Sequence, residues 1–70
     1  MRTPSELMEL CLQYENFDQF AETLSYEEVS MVCMTIELLM RMPSTIHKKE
    51  MYESALEYFI KARKKMIERN

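Results

Sequence analysis

The 70-residue chain contains no glycine and no tryptophan, two prolines, two cysteines and one histidine. Hairpin turns, β-bulges and phosphate-cradling loops need positive φ or close backbone approach, which glycine usually supplies. Its absence argues against turn-rich β folds and glycine-loop nucleotide sites. Cys11 and Cys33 are too few for a disulfide scaffold. Both fall among apolar residues in helical patterns, where free cysteine packs as a small hydrophobe. With His47 as the only histidine, they lack the paired spacings of a zinc site. No apolar run approaches the ~20 residues needed to span a bilayer. Arg2 leads into a capped, glutamate-bearing helix and not into a signal-peptide apolar run. These features predict a cytoplasmic protein with no membrane association, metal or cofactor.

What the chain does have is 47% apolar residues, eight methionines and a net charge of −3. Residues 1–40 hold eight acids against Arg2 alone, a balance of −7, whereas residues 41–70 hold eight bases against four acids. Such asymmetry suits either a basic helix lying beside acidic ones or a charged surface meant for a partner. The length allows one domain, residues 1–70, with a core too small to be very stable unaided.

Three start signals organise the chain. Thr3-Pro4-Ser5-Glu6 combines a cap, a proline at the first helical position and a glutamate completing a capping box. Leu7, Leu10, Cys11 and Tyr14 then recur at helical spacing. Asn16 opens a short second helix carrying Phe17, Phe20, Ala21 and Leu24; two turns alone are unstable, so its phenylalanines must dock elsewhere. Ser25-Tyr26-Glu27-Glu28 repeats the capping box, with Leu24 and Val29 at the hydrophobic-staple positions. Pro43 ends the third helix, and Ser44 or Thr45 caps the last. The expectation is an all-α, compact four-helix arrangement with helices at about 4–15, 17–24, 26–42 and 45–68. The last would be roughly 34 Å long at 1.5 Å per residue.

The third helix has two apolar faces. Val29, Val32, Cys33, Ile36, Leu39 and Met40 fill an arc about 120° wide, an ordinary core face. Met31, Met34, Leu38 and Met42 cluster almost opposite, divided from it by Ser30, Glu37 and Arg41 on one side and by Glu28 and Thr35 on the other. Three readings compete: a central helix enclosed by its own chain, a homodimer across the methionine arc, or a face for another protein. Small chains often need association, and methionine recurs on adaptable binding surfaces.

The last helix presents Met51, Tyr52, Ala55, Leu56, Phe59, Ala62, Met66 and Ile67 on one broad face. Arg63 breaks this face, either laying its stem on the core edge or pairing with Glu9, Asp18 or Glu22. Glu57 and Lys61 form a favourably oriented i,i+4 pair. His47 beside Lys48 and Lys49 reads as solvated surface. No nucleophile–base constellation appears, and 70 helical residues leave little room for a substrate pocket, so no enzymatic activity is expected.

The predicted function is a small, non-enzymatic interaction or regulatory module, an adaptor or inhibitor that is itself a homodimer. Its interface residues would be Met31, Met34, Leu38 and Met42. Glu9, Glu15, Asp18, Glu22 and Glu27 would form an acidic surface for a basic protein partner. The alternative is nucleic-acid binding through Lys61, Lys64, Lys65 and Arg69. A pI of about 5.1 and the lack of interleaved aromatics weigh against it.

Overall fold

The structure is a computed structural model and describes residues 2–69, without the side chains of Thr45, Ile46 and Arg69. Four α-helices follow one another with no strand among the described residues: α1 (Pro4–Gln13), α2 (Phe17–Glu22), α3 (Tyr26–Met40) and α4 (Lys49–Arg69). The start signals act as the residues dictate. Thr3 and Glu6 form a reciprocal capping box on α1, and Ser25 and Glu28 form another on α3. Asn16 caps α2 by accepting from the Asp18 N–H at 2.7 Å. Each side-chain oxygen takes up a backbone donor that would otherwise lack an intrahelical acceptor.

The ends of α1, α2 and α3 fall short of the sequence expectation, whereas α4 runs one residue past it to Arg69. Asn16 is extended, with φ −129° and ψ 120°. The backbone must therefore leave α1 before it, and Tyr14 is already extended at ψ 134°. Likewise α2 stops at Glu22 and not at residue 24. Thr23 turns its hydroxyl onto the Phe20 carbonyl at 2.8 Å, and Leu24 is committed to the staple with Val29, both buried. The N–H groups of Arg41 and Met42 bond to the carbonyls three residues back, so α3 tightens and ends at Met40. Met42 thus lies in the closing turn beyond the helix. Residues Pro43–Lys48 form a 3₁₀ helix, where the sequence suggested a turn and an α-helix from about 45. Proline at its start removes a donor while fixing φ, which suits a short, tight connector. The candidate cap Thr45 has its side chain outside the described residues.

One core joins the four helices. Leu7 and Cys11 of α1, Phe20 of α2, Val29, Val32, Cys33 and Ile36 of α3, and Tyr52, Ala55 and Phe59 of α4 are all buried. Helix α3 packs chiefly along α4 and also on α1. The docking that α2 requires is aromatic. Phe17 and Phe20 lie with ring centroids 5.6 and 5.7 Å from Phe59, the second pair edge to face. At 21 residues α4 outreaches the 15-residue α3 it packs on. Met51 and Ile67, expected on the core face, are accordingly exposed near its two ends.

Candidate interaction surface

Enclosure of α3 by its own chain is ruled out by what folding leaves in water. Met34 is 60% exposed, Leu38 55% and Met42 49%. Met34 and Leu38 are four residues apart on one helix face, and Met42 lies in the closing turn beyond it. Met31, grouped with them by the sequence pattern, is half-buried and packed against the core. The three exposed side chains leave on the order of 300 Å² of apolar surface, at the lower edge of the largest patches monomers carry.

Two further apolar features were not visible as such in the sequence. Exposed Leu12 and Met51 flank a cleft of about 200 Å³ that reaches Cys11 and Tyr52 between α1 and α4. Exposed Ile60, with Leu56 and Met40, floors a groove of about 290 Å³ edged by Glu53, Glu57 and Lys61. The helical pattern assigns these residues to a stripe, but only the lengths and crossings of the helices decide which end of a stripe stays uncovered.

The acidic residues Glu9, Glu15, Asp18, Glu22 and Glu27 are all exposed. Asp18 is partly engaged, because the Tyr58 hydroxyl donates to its carboxylate. Burial and that bond to Asp18 push the Tyr58 phenol up to about 12. Of the basic residues, Lys61 pairs with Glu57 at 3.2 Å, as the i,i+4 spacing predicted. Lys65 lines the same groove as Asp18 and Glu22, with no ion pair to either among the described residues. Lys64 is exposed, and the Arg69 side chain lies outside the described residues. Arg63 is half-buried and, among the described residues, makes no ion pair with Glu9, Asp18 or Glu22. It lies near enough to Cys33 to favour the thiolate slightly, against the larger effect of burial.

The strongest polar cluster was missed by the sequence analysis. The Arg2 guanidinium grips both oxygens of Glu28, at 2.8 and 3.3 Å, and donates to the Thr23 carbonyl at 2.7 Å. Glu28 also accepts from the Ser25 N–H at 3.0 Å. One carboxylate therefore ties the chain before α1 to the α2–α3 junction. Its pKa is held down to about 2, first by Arg2 and then by Ser25, against the opposing effect of desolvation. The available signal was compositional: Arg2 is the only base in the first forty residues.

Both cysteines are free and buried, and burial pushes each thiol up, away from the reactive thiolate. Among the described residues no three His, Cys, Asp or Glu side chains come together as a metal-binding group. His47 is exposed in the 3₁₀ segment. No helix among the described residues is long and apolar enough to cross a membrane. Comparison with protein families, curated proteins and solved structures finds no match to this chain.

Proposed function

We propose that this protein is a small, non-enzymatic interaction module of the cytoplasm, a homodimer through the methionine-rich side of α3 that regulates another protein by covering part of its surface. One observation carries the reading: Met34 and Leu38 on the outer side of α3, and Met42 in the turn that closes it, remain about half or more exposed while the other side of the helix is core. Burying them in a partner is favourable by roughly 25 cal/mol per Å² of apolar area. Unbranched methionine adapts its shape to such a contact. The acidic residues Glu9, Glu15 and Glu22 would steer a basic partner, speeding encounter more than tightening the complex.

Nucleic-acid binding is the weaker reading. Lys61 is paired with Glu57 and Lys65 shares a groove with Asp18 and Glu22, which reduces the positive field that phosphates require.

The test is sedimentation of the wild type beside a Met34→Glu, Leu38→Glu double variant. Both positions are exposed, so helicity should be unchanged while the dimer is lost. A double variant that sediments like the wild type would sink the proposal.

A further inference from the structure

The same face carries a charge pattern that names its occupant and sets the geometry. Glu27, Met34 and Arg41 are seven residues apart in turn, and seven residues bring an α-helix back to within about 20° of the same direction. Arg41 keeps helical dihedrals as the cap of α3, with φ −85° and ψ −11°. All three residues are exposed. The side of α3 that points away from the core thus bears a line about 21 Å long, with an acid at one end, a base at the other and methionine midway.

A two-fold axis lying across α3 at Met34 carries each residue to the position as far beyond Met34 as it stood before it. Glu27 of one copy then opposes Arg41 of the other, and the contact occurs twice. The same operation preserves the lateral sides of the helix. Met31 of one copy therefore opposes Leu38 of the other, and Met34 meets its own counterpart on the axis. A parallel pairing does the reverse: it sets Glu27 against Glu27, Arg41 against Arg41, and the apolar flank against Ser30 and Glu37. Like charges directly opposed across an interface are unfavourable, so the pattern is self-complementary in one orientation only. Helices crossing at small angles lie 8–10 Å apart, and at about 10 Å from the axis such a pair remains within reach of a glutamate and an arginine.

We propose that the occupant of this face is a second copy of the chain, with the two α3 helices antiparallel, Met34 on the two-fold axis and Glu27 of each copy paired with Arg41 of the other. This rests on the homodimer reading proposed above and specifies its orientation and its charge pairing. The strip supplies less than the ~800 Å² per partner of a standard interface, so association in the micromolar range is expected.

The experiment is sedimentation across a concentration series, with circular dichroism confirming that each variant is folded. Glu27→Arg alone and Arg41→Glu alone should each weaken the dimer about tenfold or more, since both symmetry-related contacts become repulsive. The doubly reversed chain should recover most of the lost affinity. Mixing the two single variants should give a heterodimer tighter than either homodimer, an effect that loss of helix-end stabilisation alone does not produce. Dimers that are lost in the Met34→Glu, Leu38→Glu variant but indifferent to charge reversal, or strengthened by a single reversal, would overturn the antiparallel pairing and leave the interaction face standing. A wild type that stays monomeric to millimolar concentration would overturn the pairing and the homodimer together, leaving the face to a different protein.

Discussion

Replacing Phe59 by alanine removes the ring on which the short second helix rests. Phe59 is fully buried, and the rings of Phe17, Phe20 and Tyr58 lie with centroids 5.6, 5.7 and 5.2 Å from it. Truncating a buried phenylalanine to alanine destabilises by about 3–5 kcal/mol. A 70-residue domain with a single small core has only about 3–5 kcal/mol to lose. Phe59→Ala should therefore leave most of the chain unfolded at room temperature. Phe59→Leu is the measurable version, because it keeps much of the volume but gives up the aromatic pairing. It should lose roughly 1–2 kcal/mol, the lower part of what two or three ring contacts worth about 0.5–1.5 kcal/mol each supply, because leucine restores some of the packing. At about 4–8 °C per kcal/mol for a domain of this size, Tm should fall by about 4–16 °C. Thermal melts by far-ultraviolet circular dichroism at one fixed protein concentration measure this, since any dimer makes Tm concentration-dependent. Lys64→Ala, at an exposed position of the same helix, is the control and should move stability by no more than about 0.5 kcal/mol. A Phe59→Leu protein melting with the wild type would refute the claim that Phe59 anchors α2.

Two titrations probe the polar contacts. Glu28 ionises at about 2 in the folded chain against an ordinary 4.5, so its contribution is complete above pH 4.5 and is lost as pH falls from 4.5 towards 2. Urea melts of Glu28→Gln should show a shallower decline than the wild type across that window; superimposable acid limbs would refute the Arg2 clasp. Tyr58 ionises at about 12, raised above its ordinary 10.0, so its contribution holds below pH 10.0 and disappears as pH rises through about 12. Asp18→Asn should bring the phenol down part of the way, since burial is the larger cause and remains. Phenolate absorbance, with Tyr58→Phe identifying the signal, would show no change if the two side chains do not meet.

How much of this was legible depends on how far each determinant reaches along the chain. Every helix start set by a side-chain cap within three residues was read correctly at Thr3, Asn16 and Ser25. The end of α1 was overextended because the Asn16 cap demands extended backbone there, and the ends of α2 and α3 because the chain tightens into three-residue turns at Thr23 and Arg41, neither of which periodicity registers. The 3₁₀ segment was missed for a related reason: Ile46, His47 and Lys48 suit an α-helix, but the chain leaving Pro43 tightens first. Contacts across 26 residues, Arg2 to Glu28, or 40, Tyr58 to Asp18, depend on how helices cross and left no local trace. The apolar face of α3 lies between these cases. Its existence is local and was evident from the helical wheel, but the separation of half-buried Met31 from exposed Met34 and Leu38 depends on tertiary packing.

Among the described residues no backbone φ is positive, so no turn in this fold needs the residue type the chain lacks. The consequence lies in the unfolded state. A chain of average composition would carry about five glycines in 70 residues. Each glycine replaced where the native backbone allows it stabilises by about 0.4–1 kcal/mol, by narrowing what the unfolded chain can explore. Five such positions amount to about 2–5 kcal/mol, comparable with everything a core this small contributes. Part of this protein's stability therefore resides in the stiffness of its disordered form, where no contact map would find it.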